Sequence, residues 1–170
     1  MKLPYHEGTC FAVPLDGGGG HAVGVVARTS RTGGVFLAYL FGPVRESIPT
    51  LAEVESLTAD EADKVWKVGD YELVNGGWPV IGTLPRWNRQ DWPMPKFVRV
   101  DDLLSHTAWL ATYDKDDPNS VPRERRIPYQ PVAFLAPYPF KGKTYEWDGV
   151  NLAEFVQEVL PRFLKDKQPR

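Results

Sequence analysis

Short extended runs of apolar residues, each closed by turn-forming residues, make up most of this chain, and only two stretches follow a helical period. Phe11 to Leu15 is an apolar run ended by Asp16 and the four glycines Gly17 to Gly20, which predicts a strand leading into a turn or loop. His21 to Thr29 and Val35 to Phe41 are valine-rich runs joined through Ser30 to Gly34, where Gly33-Gly34 suits a positive-φ turn. They predict a hairpin. Val65 to Gly82 reads as a second one: Val65, Lys67, Gly69, Tyr71 and Leu73 alternate with Trp66, Val68, Asp70 and Glu72. Asn75-Gly76 supplies the pair that favours a type I′ turn. The second arm, Trp78 to Ile81, is apolar enough for a central strand, with Pro79 at its entry or at a bulge.

The first helical stretch lies between Pro49 and Asp63. Thr50 with Glu53, and Thr58 with Glu61, each match the capping box, in which a threonine hydroxyl caps a helix and a glutamate three residues on answers its amide. Leu51, Val54 and Leu57 form an i, i+3, i+6 stripe, so the first of two short helices should rest on the sheet. The second stretch is near the end, where Leu152, Phe155, Val156, Val159, Leu160, Phe163 and Leu164 follow helical spacing, with Asn151 as cap and Glu154 at the capping-box position. Pro161 predicts a kink or an end near Leu160. Between the two, Lys96 to Val100 and Leu103 to Tyr113 read as strands and Asp114 to Arg126 as a polar loop. Tyr129 to Tyr138, among four prolines, reads as an edge or extended segment.

Composition agrees with this pattern and narrows it. A chain of 170 residues fits one domain, here 1–170, able to bury roughly 70% of its unfolded surface. Sixteen prolines and fifteen glycines, spread along the chain, favour many turns and short strands over long helices. The expected class is α+β: a mainly antiparallel, strongly bent β-sheet, of which an SH3-like partial barrel is one form, with two short helices and a C-terminal helix. No apolar run approaches the roughly 20 residues of a membrane-spanning helix. The N-terminal MKLPYHEGTC lacks an apolar signal core, and one cysteine cannot form an internal disulfide, so a cytoplasmic protein is expected.

Catalytic chemistry finds little support. Cys10 beside Phe11 in an apolar strand reads as a small buried hydrophobe rather than a nucleophile served by His6, His21 or His106. The histidines are far apart and no HxH or HExxH spacing occurs, so neither a metal nor a cofactor is expected. Asp114, Asp116 and Asp117 lack the glycine and distal glutamate of a calcium loop. Four consecutive glycines invite a phosphate-binding reading, but the run after them is a strand and not the helix such a loop needs.

Charge and aromatic residues are more informative. Glu46 to Glu72 holds eight acids against Lys64 and Lys67, whereas Arg86 to Arg99 and Arg123 to Lys143 run basic. Such blocks are commonly solvated faces, yet an acidic patch also steers a basic partner. The formal net charge of −2 and the shortness of the basic cluster argue against nucleic-acid binding. Trp78, Trp87 and Trp92 fall within fifteen positions, flanked by Arg86 and Arg89: either a core corner or an exposed cluster of the kind that forms interface hot spots or a small-ligand site.

The same region carries a resemblance. Val68-Gly69-Asp70, Gly77-Trp78-Pro79-Val80-Ile81-Gly82 and Leu84-Pro85 resemble the core pattern of the bacterial immunity protein 26 family of polymorphic toxin systems. Gly8-Thr9-Cys10-Phe11-Ala12-Val13-Pro14-Leu15-Asp16-Gly17 is similar to that family's opening run, and Gly24-Val25-Val26 to the strand after it. The likeness covers about 5–102 and leaves 103–170 as an extension. It implies a non-enzymatic immunity protein that binds and neutralises a cognate toxin domain, a nuclease being one candidate, with no membrane partner. The acidic residues Glu53, Glu55, Asp60 and Glu61, then Trp87, Arg89 and Trp92, are the expected contacts. A metal-dependent hydrolase of organophosphate-like esters and a small-ligand binding module are the alternatives.

Overall fold

A computed structural model describes residues 2–101, 103–133 and 135–164. Its main sheet contains β1 (Thr9–Pro14), β2 (His21–Thr29), β3 (Val35–Arg45), β4 (Lys64–Gly69), β5 (Val80–Thr83) and, from the far end of the chain, β11 (Val150–Asn151). Their order is β11-β4-β3-β2-β1-β5, antiparallel throughout except for the parallel β11–β4 pair. The three long runs of the sequence are therefore three adjacent strands, and their lack of polar alternation has a cause: both faces are buried. Phe11, Val13, Phe36, Ala38, Leu40, Trp66 and Val68 face one core. Cys10, Val23, Val25, Leu37, Tyr39 and Phe41 face the other.

The first core is covered by Leu73 of α2 (Tyr71–Asn75) and by Val156 and Val159 of α3 (Ala153–Val159) with Leu160 beyond it. The second is covered by Val54 of α1 (Leu51–Val54), by Trp92, and by a three-stranded sheet β6-β7-β8 (Phe97–Asp101, Thr107–Thr112, Arg123–Ile127). Behind that sheet the hairpin of β9 (Tyr138–Phe140) and β10 (Lys143–Tyr145) buries Tyr138 against Val98, Ala108, Leu110 and Ile127. At the centre of the first core Phe11 stacks on Trp78 at 5.7 Å and meets Phe36 edge-on at 5.5 Å. Its ring lies directly over Gly24, its cross-strand partner: a Cβ on Gly24 would stand 2.2 Å from the Phe11 ring. The glycine is there because the ring needs its space.

The extension is part of this core. Val156, Val159 and Leu160 are at most 4% exposed, and burying each such side chain stabilises the fold by roughly 1.5–3 kcal/mol. Two ion pairs fasten it to β4. Lys64 Nζ donates to Glu146 at 2.8 Å, and Lys67 Nζ donates to Asp148 Oδ1, which also accepts the Tyr113 hydroxyl at 2.6 Å. The backbone of Val98 on β6 adds two bonds to the extension, accepting from Asp148 N at 2.8 Å and donating to Glu146 O at 2.9 Å.

Both capping boxes form, at α1 and at the 3₁₀ turn Ala59–Glu61, and Leu51, Val54 and Leu57 pack as their spacing predicts. Several expectations are corrected. The sheets are mostly antiparallel, but none is closed or strongly curled, so there is no SH3-like barrel: β5 and β11 remain as edges of the main sheet. The Val65–Gly82 hairpin does not form. After β4 the chain enters α2, with Asp70 at its N-cap, and Gly76 at φ +83° is the left-handed residue that ends a helix rather than half of a hairpin turn. The second arm then pairs with β1 instead of β4, at the sheet edge. The expected polar loop runs into β8, and Leu152, not Asn151, is the N-cap of α3. Pro161 does end the α-helical run, which passes into the 3₁₀ turn Leu160–Arg162.

Candidate partner-binding site

A concavity of about 820 Å³ opens between the α1 to Glu61 segment and the tryptophan-rich loop before β6. Two local devices shape it. On one side the capping boxes hold tight turns: Glu53 accepts from Thr50 N at 2.7 Å and Glu61 from Thr58 N at 2.9 Å. On the other, Asn88 accepts from Gln90 N at 3.1 Å and starts the 3₁₀ turn Arg89–Asp91. Tyr39 ties the two sides together. Its hydroxyl, pushed up to about 12 by burial, stays protonated and donates to Pro93 O at 2.5 Å.

The groove has an apolar floor and a charged rim. Tyr39, Leu84 and Trp92 lie beneath, while Glu55, Asp60 and Asp91 supply three carboxylates and Arg86 one cation. Of the seven residues expected as contacts, Glu55, Asp60 and Trp92 converge here. Trp92 is only 5% exposed, packed edge-on to Tyr39 at 5.1 Å and against Trp87 at 5.6 Å. Glu53, Glu61, Trp87 and Arg89 do not line the groove. Glu53 is exposed, and its hydrogen bonds from the Thr50 amide and hydroxyl hold its carboxyl below the usual range, so it adds a firm negative charge beside the rim. Arg89 is engaged, paired with Glu7 at 3.0 Å and Asp116 at 3.1 Å, and Asp116 also holds the buried Arg28 at 2.6 Å.

The three tryptophans do not form one cluster. Trp78 is fully buried in the first core, where its indole N–H reaches Gln157 at 3.0 Å, while Trp87 and Trp92 pack on the opposite face of the sheet. Sequence proximity misleads because the chain crosses from one face to the other between Trp78 and Leu84. Asp91 is a rim residue that the sequence does not single out; it sits in a mixed-sign run, Arg86 to Asp91, whose surface position is not evident without the Asn88 cap.

Candidate catalytic groups are not assembled. Cys10 is fully buried and its thiol is pushed up to about 12 by that burial. His6 binds Glu7 O and the Thr83 hydroxyl, and His106 meets the Tyr129 ring edge-on at 5.1 Å. Among the described residues no three His, Cys, Asp or Glu side chains are grouped to hold a metal ion, and no helix is long and apolar enough to cross a membrane.

The family model described as Immunity protein 26 matches residues 6–109, more than half of the chain. This protein belongs to the immunity protein 26 family. No curated protein and no solved structure matches the chain. Membership implies an immunity protein that neutralises a toxin. The residues that first suggested the family also acquire a physical meaning in this immunity protein: Phe11, Gly24 and Trp78 meet in one stack. They build the core.

Proposed function

We propose that this immunity protein neutralises a basic toxin domain without chemistry of its own, by seating a cationic part of the toxin in the groove between α1 and Trp92 and blocking its working surface. The observation that carries the reading is three carboxylates around an apolar floor in one concavity of about 820 Å³. Exposed ion pairs are worth only about 0.2–1 kcal/mol each, so the rim governs encounter rate and orientation more than affinity. The floor supplies the apolar contact. Glu53 and Glu61 strengthen the field from beside the rim, and Trp87 and Arg89 flank the seat. A nuclease domain, which must itself attract a polyanion, has the required charge.

The test begins with any toxin-like domain encoded next to this chain, co-expressed with it and scored for growth rescue and co-purification. Binding kinetics then compare the wild type with Glu55→Lys/Asp60→Lys. An association rate lowered by about tenfold at low salt, with the difference shrinking as salt is added, is the expected result. An unchanged rate and affinity would remove the groove from the interface.

A further inference from the structure

A second surface is charged with the opposite sign, and among the described residues its anions answer only part of that charge. Strand β8 reads Arg-Glu-Arg-Arg-Ile, and four of its five side chains are exposed. Among the described residues it pairs with β7 alone, so alternate residues aim their N–H and C=O groups outward from the sheet edge. The opposite edge of the same small sheet is occupied, since the extension bonds to Val98 of β6. β8 is left open.

Two of its charges are already used. Arg123 holds Asp114 at 2.9 Å, and Glu124 takes the Arg99 guanidinium at two contacts of 2.8 Å. Arg125 and Arg126 have no carboxylate partner among the described residues. On one face of β8, Arg125 and Lys141 sit over the same Phe140 ring, 5.8 and 5.4 Å from its centre. Beside them is a hollow of about 480 Å³ lined by Gln130, Phe140, Lys141 and Lys143. On the other face Arg126 stands opposite Trp109, which already carries Arg99 at 4.1 Å. Like charges gathered this closely repel one another, and the rings beneath them offset only part of that cost.

We propose that β8, with the β9–β10 hairpin, is a docking strip for an extended acidic segment of a partner polypeptide, added as a further strand with successive carboxylates opposite Arg125 and Arg126. Backbone pairing would supply affinity, and the alternation of the strand would place one carboxylate on each face. A second copy is disfavoured, because β8 against β8 gathers six arginines with only two glutamates between them. Single-stranded nucleic acid is disfavoured as well: cations already sit over the Phe140 and Trp109 rings, and a base stacking there would have to displace them. This surface is independent of the groove and of any toxin seated there.

The experiment is a fluorescence-anisotropy titration of the full chain with a short dye-labelled peptide of Glu-Glu-Thr-Val repeats. Its companions are the same peptide N-methylated at alternate residues and a labelled oligo-dT of equal charge. The acidic peptide should bind; Arg125→Glu/Arg126→Glu and N-methylation should each weaken it by about tenfold or more, and oligo-dT should bind more weakly than the peptide. Both arginines are exposed, and an unchanged melting temperature will verify that the variant folds. Failure of the peptide to bind overturns the proposal and leaves the arginines as guards of an open edge. Equal binding after N-methylation, or of oligo-dT, also overturns it, by showing a cationic patch without strand pairing.

Discussion

Replacing Asp148 with alanine should reveal how far the extension holds the sheet together. The Lys67 side chain is 6% exposed and the Asp148 side chain 7%, so this pair lies inside the protein. Asp148 Oδ1 accepts from both Lys67 Nζ and the Tyr113 hydroxyl. Burial and the neighbouring carboxylate raise the Tyr113 hydroxyl well above its usual range, so it stays neutral and cannot substitute for the lost charge. In Asp148→Ala the ammonium is stranded between the Tyr113 and Phe97 rings. Removing one member of such a buried pair costs roughly 3–5 kcal/mol, a large part of the about 5–15 kcal/mol that holds a domain together. Removing both should cost less: Lys67→Met/Asp148→Leu exchanges the pair for apolar groups and leaves only the neutral Tyr113 hydroxyl without its two partners, a cost of about 1–3 kcal/mol. Urea unfolding followed by tryptophan fluorescence gives each free energy, and the two single changes with the double close a cycle. A loss below about 1 kcal/mol for Asp148→Ala, or a double variant no more stable than the single, would refute the buried staple.

Two further outcomes test the core. Gly24→Ala puts a methyl group into the Phe11 ring, which Trp78 and Phe36 hold from both sides, and overpacking of this kind costs about 1–3 kcal/mol or more; urea midpoints will measure it, and a neutral result would mean the stack can shift. Cys10 should resist a thiol reagent at pH 8 in the folded protein and react at once in urea. Because its folded pKa is raised, the stability it contributes is complete below the ordinary thiol pKa and is lost as pH climbs toward about 12, so the stability gap between wild type and Cys10→Ala should narrow from pH 8 to pH 11. A constant gap would contradict the burial argument.

Much of the fold is legible in the sequence because local signals and tertiary packing agree there. Gly33-Gly34 does turn β2 into β3, and both threonine-glutamate pairs do cap their turns. The failure at Tyr71–Asn75 is equally instructive. Alternation over Val65 to Leu73 looks continuous, but Asp70 breaks it: its carboxylate accepts from the Tyr5 hydroxyl at 2.7 Å and from Gly34 N at 3.1 Å, which anchors the chain where the strand stops. Those partners lie 65 and 36 residues away, beyond the reach of any window-based reading. β8 is hidden for a related reason. An edge strand facing solvent can consist almost entirely of charge, and then resembles a loop. For the candidate site, Glu55 and Asp60 are identifiable from charge density, whereas Asp91 and the depth at which Trp92 lies depend on the fold.

The bounds of the family match bear on both proposed surfaces. Residues 6–109 include every strand of the main sheet except β11 and end inside β7, so the matched segment lacks β8, the β9–β10 hairpin and α3. It also lacks Glu146, Asp148, Val156, Val159 and Leu160, which cover one face of the main sheet and fasten β4. The segment beyond residue 109 is thus a structural necessity here. Glu55, Asp60, Asp91 and Trp92 all fall within the match, so the proposed toxin seat is built from the segment shared with the family. Arg125, Arg126, Lys141 and Lys143 all fall outside it. An acidic segment docked on β8 would therefore belong to what this chain adds to the family, and disabling the strip should leave toxin rescue intact.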